Sequence, residues 1–183
     1  MTSTLPGTTI QADLSRPDGA EAVLGPMFLT GGLSLSQVTT LTGLEPYVIQ
    51  NWVRRGFLSP PQQRRYSRRQ LCRILIINML KDVLQLEKIC SLLSYVNGQL
   101  NDESDDLVDD SYLYEKAVWL IAQSEDSRAA AQETGGRLKE ALKDYPGTPE
   151  ARERVERVLI VICKGYLSAR LKAETEELIS GFC

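Results

Sequence analysis

The stretch "YVIQNWVRRGFLSPPQQRRYSRRQL", residues 47–71, holds Arg54, Arg55, Arg64, Arg65, Arg68 and Arg69 and no acidic residue. The whole chain of 183 residues carries a net charge of −3, so this window is a basic island in an acidic protein. Its first part reads as a helix. Val48, Ile49, Trp52 and Val53 recur at helical spacing and form an apolar stripe, which leaves Gln50, Asn51, Arg54 and Arg55 on the opposite side. Glu45-Pro46 starts this helix, since proline in the first turn forfeits an N–H that has no helical partner there, and Gly56 closes it. "FLSPP" and "RRYS" read as short extended pieces flanking "QQ", the pattern of a small hairpin or wing. Ser67 and Gln70 then make a capping box, in which the hydroxyl accepts from a free backbone N–H and the amide reaches back. It opens a third helix with Leu71, Ile74, Leu75, Met79 and Leu80 inward.

Upstream, "LSLSQVTTLTGL" repeats the same chemistry. Ser34 and Gln37 form a second capping box, Val38 and Leu41 face inward, and Gly43 supplies the permissive backbone of a tight turn. Downstream, a fourth helix is expected from about Leu86 to Tyr95, with Ile89, Leu92 and Leu93 apolar. Between residues 33 and 88 nine basic residues face three acids, a net +6, and the rest of the chain carries −9. A basic module inside an acidic chain is the electrostatic footprint of a phosphate-binding surface.

Four segments are expected. Residues 1–32, rich in Gly, Pro, Ser and Thr, read as a flexible N-terminal arm with a short helical piece near "GAEAVL". Residues 33–97 form the helical module with its wing. Residues 98–111, containing "NDESDDLVDDS", read as a solvated acidic linker. Residues 112–183 read as an all-helical region: a helix over 112–123, an Ala-, Glu-, Lys- and Arg-rich stretch over 124–144 broken at Gly135-Gly136, and one long helix beginning at Thr148-Pro149. Val155, Leu159, Ile162, Tyr166 and Leu167 make that last helix's main stripe, whose ordinary use is core or helix–helix packing.

Composition narrows the chemistry. The chain has no histidine, and Cys72, Cys90, Cys163 and Cys183 are far apart with no CxxC pairing. A histidine triad is therefore excluded, and no zinc ligand set stands at workable spacing. "TGG" at 30–32 and "ETGGR" at 133–137 lack the pattern of a phosphate loop. No catalytic, metal or cofactor residue is proposed, and an enzyme is not expected. No apolar run approaches the roughly 20 residues that span a bilayer, and the N-terminus lacks a basic start followed by an apolar stretch. A cytoplasmic protein is the expectation.

Residues 33–93 resemble the DNA-binding domain of the MerR family of bacterial transcription regulators. The resemblance rests on "VTTLTGLEPYVIQNWVRRGFLSP", on Arg64, Tyr66 and Ser67 at the wing's end, on Gln70-Leu71 opening the next helix, and on "LQLEKICSLL" as a fourth helix. Where the family has Thr-[Ile/Leu]-Arg-Tyr-Tyr-Glu in its second helix, this chain has Val48, Ile49, Gln50, Asn51, Trp52 and Val53, so Gln50 stands in place of the family's arginine. "GFLSPPQQRRYSRRQL" and "NDESDD" also resemble a less-characterised set of bacterial MerR-like proteins grouped as a domain of unknown function.

The fold expected is thus mostly α: a MerR-like winged helix-turn-helix domain followed by an all-helical C-terminal region. The resemblance implies sequence-specific binding of double-stranded DNA by a homodimeric transcription regulator, dimerised through its C-terminal helices, its effector unspecified. Gln50, Asn51, Arg54 and Arg55 would face the groove or its rim, where Gln and Asn can pair with adenine. Arg64, Arg65 and Arg68 would hold phosphates, and Tyr66 would pack the wing or touch the backbone. The competing expectation is a protein-interaction adaptor built on a winged module that no longer binds DNA.

Overall fold

In a computed structural model the chain is mostly helical; it describes residues 2–102, 104–123 and 134–182. Strands β1 (Thr2–Thr4) and β2 (Gln11–Asp13) pair antiparallel, with Ser3 opposite Ala12. Helix α1 (Gly19–Leu24) follows, then a 3₁₀ turn at Gly25–Phe28. Helices α2 (Leu35–Thr42) and α3 (Pro46–Arg54) are joined by a short turn, and α4 (Arg68–Leu80) and α5 (Leu86–Asn97) come next. The remainder is α6 (Asp110–Ala122), α7 (Thr134–Ala141) and α8 (Pro149–Ser180).

The local signals act as read. Ser34 and Ser67 each accept from the backbone N–H three residues on, and Gln37 and Gln70 return the bond to the cap's N–H. Gly43 sits at φ 70° and ends α2, a conformation that a side chain makes costly. Thr148 caps α8 and Pro149 occupies its first turn. Residues 124–133 of the expected 124–144 stretch lie outside the described residues; Gly135 and Gly136 stand in the first turn of α7.

Helix α4 is the axis of the molecule. Leu71 through Ile77, Met79 and Leu80 are all buried, and a helix enclosed on all sides must have neighbours all round it. It packs against α2, α5, α6 and α8. The α8 stripe of Val155, Val158, Leu159 and Ile162 is buried against this assembly, and Gly165 lets α8 pass within 2.5 Å, measured from an ideal Cβ, of the Leu80 side chain.

Two segment expectations are corrected. Residues 2–32 are not a loose arm: Leu5 and Leu24 are fully buried and Ala12 and Leu14 nearly so. Tyr114 donates its hydroxyl proton to the Pro6 carbonyl at 2.7 Å, and Asn78 donates to the carbonyls of Gly7 (2.9 Å) and Thr42 (3.1 Å). The glycine that suggested looseness permits close contact instead. At Gly7, φ 77°, a Cβ would stand 2.7 Å from the Leu75 carbonyl oxygen on α4.

The acidic segment is not a solvated linker between two units either. Leu107 donates its N–H to the Val96 carbonyl at 2.8 Å. The Asp106 and Asp110 side chains are 8% and 2% exposed, because both meet arginines of α4. The helices on either side of it share α4 and one core.

Candidate nucleic-acid interface

The expected wing is a two-residue reversal. Arg65 donates its N–H to the Gln62 carbonyl at 2.8 Å, and Gln63 and Arg64 both have positive φ, 48° and 63°. Two successive positive φ values match the twist of a tight hairpin. A bridge between Leu33 and Tyr66 ties this turn to the residue before the α2 cap, with N–H to O distances of 2.9 and 2.7 Å.

The turn's root is clamped to α4. Gln70, already used by the capping box through its oxygen, donates its amide nitrogen to Ser59 O (2.9 Å) and Pro60 O (3.1 Å). Arg73 donates its Nε–H to Phe57 O at 3.0 Å. Arg64 is therefore an exposed cation on a short, tethered turn.

Helix α3 buries Ile49 and Trp52. Its outer face carries Tyr47, Gln50 and Arg54 exposed and Asn51 half-buried, a stripe at i, i+3, i+4 and i+7. Arg54 donates to Asn51 Oδ1 at 2.7 Å, which orients that amide. Gln50 and Arg64 line one 350 Å³ cleft with Leu35, Val53, Pro61 and Tyr66. Helix face and turn tip thus form one surface. Among the described residues neither Arg54 nor Arg64 is paired with a carboxylate.

The other predicted residues are used differently. Arg55 points toward α5, where its guanidinium lies 2.5 Å from Glu87 and 4.5 Å above the centre of the Phe57 ring. Arg65 is exposed and donates to Gly32 O at 3.3 Å. Tyr66 is 3% exposed and packs the turn onto the core, which pushes its hydroxyl pKa up. Arg68 turns inward, bridging Glu21 of α1 and Glu115 of α6, the latter at 2.5 Å. Its surface role is corrected accordingly: a guanidinium held between two carboxylates has little left to offer a phosphate.

Tyr47, 69% exposed in the first turn of α3, is a surface residue the sequence reading passed over. Its spacing of −3 and −4 from Gln50 and Asn51 was the signal.

Beneath the surface lies an ion-pair chain. Arg69 reaches Asp106 at 2.5 Å and Asp110 at 3.7 Å; Arg73 reaches both Asp110 oxygens at 3.4 Å; Asn97 donates to Asp110 at 2.9 Å. Burial pushes the Asp110 pKa up, with Arg73 and Arg69 pulling against it. Burial also pushes the Cys72 thiol up to about 12, the behaviour of a core thiol rather than a nucleophile. Among the described residues no group of three or more His, Cys, Asp or Glu is placed to hold a metal ion, and no helix is long and apolar enough to cross a membrane.

Comparison with known proteins gives a family match without a function. Residues 30–117 match the model of a family described as a domain of unknown function (DUF1836). That match runs from before α2 into α6, across the acidic segment, in keeping with a core that does not divide there. The chain is also similar to the uncharacterized protein YkrK of Bacillus subtilis (strain 168), 29% identical over 93 residues. The matched region is 49% of this chain and spans 40% of that relative's length. No solved structure matches.

Proposed function

We propose that the chain binds double-stranded DNA sequence-specifically as a homodimeric, MerR-like transcription regulator. The reading takes α2 and α3 as a helix-turn-helix with α3 in the major groove, and the 62–65 turn as a wing on the phosphates. One observation carries it: the outward stripe of Tyr47, Gln50, Asn51 and Arg54 sits beside Arg64, which shares a cleft with Gln50, and among the described residues neither arginine is paired with a carboxylate. Gln and Asn amides suit bidentate pairing with adenine, and arginine suits guanine or phosphate. Arg55 and Arg68 are left out of the contact set because internal carboxylates hold them.

The dimer rests on α8. Past its buried stripe, residues 170–182 are all exposed, Leu171, Leu178, Ile179 and Phe182 among them. Two α3 helices related by a twofold axis would read an inverted repeat.

The test is selection of bound fragments from a genomic library at two salt concentrations, with the native chain, Gln50→Ala and Arg64→Ala. Enrichment of a short inverted repeat is expected. Gln50→Ala should relax the preference at one position, and Arg64→Ala should lower the salt slope by about 1 without changing the motif. Weak, uniform binding that neither substitution alters would refute the assignment.

A further inference from the structure

We propose that the cavity behind the 59–62 loop is a binding site for a small phosphorylated ligand. The cavity measures 510 Å³ and lies between that loop, the first turns of α4 and residues Leu100 and Asn101, within the size range of small-molecule sites. Arg65, Arg69 and Arg73 line it against one carboxylate, Asp110. Asp110 is itself held by two of those arginines, Arg73 and Arg69, and by Asn97, so these ion pairs are internal to the wall. Asp106 offsets Arg69 alone. The positive charge left over on the wall is that of Arg65. Arg65 is the adaptable cation, being exposed and, among the described residues, engaged by its side chain only through a 3.3 Å bond to the Gly32 carbonyl.

Two further features select a phosphate over an apolar molecule. The lining brings Ser59, Ser67, Gln70 and Asn101 among the arginines, beside Pro60, Pro61 and Leu100. The 13-residue helix α4 also starts at this wall, with its cap residue Ser67 in the lining, so its dipole adds to the guanidinium field. The fork of Arg65 matches the tetrahedral oxygens of a phosphate group, while Arg69 and Arg73 stay with Asp106 and Asp110.

This site does not rest on the DNA reading. Arg64 and Gln50 face the separate cleft, and of the residues lining the two only Pro61 is shared. The experiment is isothermal titration of the full chain with sodium pyrophosphate, at ionic strength held constant with potassium chloride. The variants are Arg65→Ala, Asn101→Trp, which narrows the cavity at an exposed neutral position, and Arg64→Ala as a control outside it. A short DNA duplex is titrated in parallel, and circular dichroism verifies that each variant is folded.

Saturable one-to-one binding is expected, weakened about tenfold or more by Arg65→Ala and by Asn101→Trp and unchanged by Arg64→Ala. Duplex binding should survive Asn101→Trp. The proposal is overturned if pyrophosphate gives no saturable heat, or if Asn101→Trp leaves binding intact, which means adsorption to a charged surface. It is also overturned if Asn101→Trp abolishes duplex binding while pyrophosphate never binds, which assigns the cavity to the DNA backbone. Failure to bind duplex with pyrophosphate binding retained would count against the regulator and leave this site standing.

Discussion

Asp110→Ala is the substitution that most directly tests how this molecule is held together. The Asp110 side chain is 2% exposed and that of Arg73 is 5% exposed, 3.4 Å apart. Removing the carboxylate strands a buried guanidinium and leaves the Asn97 amide without its 2.9 Å acceptor. Breaking a buried pair from one side costs about 3–5 kcal/mol. At about 4 kcal/mol, a chain of this size should lose about 8–16 °C in Tm. The assay is urea unfolding followed by far-UV circular dichroism, compared at equal m-values so that a change in midpoint reports stability. Arg73→Met combined with Asp110→Leu provides the control. It removes both charges and fills the volume, and should recover most of the loss, since a hydrophobic substitute for a buried pair is often neutral or better. The reasoning fails if Asp110→Ala costs less than about 1 kcal/mol, or if the double variant is less stable than the single one.

Two other outcomes follow from the same geometry. Burial raises the Asp110 pKa above its ordinary 3.8, so between 3.8 and the folded value the native chain retains a proton that the unfolded chain has released. Stability should therefore fall as pH rises through that window and level off above it. Asp110→Asn should lack this decline, and a native-minus-variant stability difference that is flat from about pH 4 to 7 would contradict the burial argument. On α8, Leu171 and Leu178 are 51% and 70% exposed in the single chain; replacing both with Glu should change folding stability by about 0.5 kcal/mol or less per site. If α8 pairs two copies, sedimentation should show a dimer in the native chain and a monomer in the variant; a monomeric native chain would remove the homodimer from the proposed function.

What could be read along the chain was whatever closes within a few residues. Ser34 with Gln37, Ser67 with Gln70, Gly43, and Thr148 with Pro149 act over three or four positions, and each sets a helix end where expected. The stripe of Ile49 and Trp52 follows from helical period alone, as does the burial of Leu71, Ile74, Leu75, Met79 and Leu80; Cys72, Arg73, Ile76 and Ile77 are buried as well because neighbours enclose α4 all round. The outward stripe is equally legible: Tyr47 stands three and four positions before Gln50 and Asn51.

The amino-acid sequence by itself determined a mostly helical chain, the starts of α2, α3, α4 and α8, a reversal around Gln62-Gln63 and a basic module at 33–88; the start of α6 at Asp110 and the β1–β2 pair were not legible in it. Tertiary structure decided what the charges do. Arg68 meets Glu21 and Glu115 across 47 positions in each direction, and Arg73 meets Asp110 across 37. A count of charges in a window cannot see such partners, so it offers an internal arginine and a surface one on equal terms. The same holds for residues 2–32, whose composition suggested a loose arm. The order of this segment is set by partners far along the chain, as where Tyr114 holds the Pro6 carbonyl and Asn78 that of Gly7, and burying Leu5, Leu14 and Leu24 is what favours it.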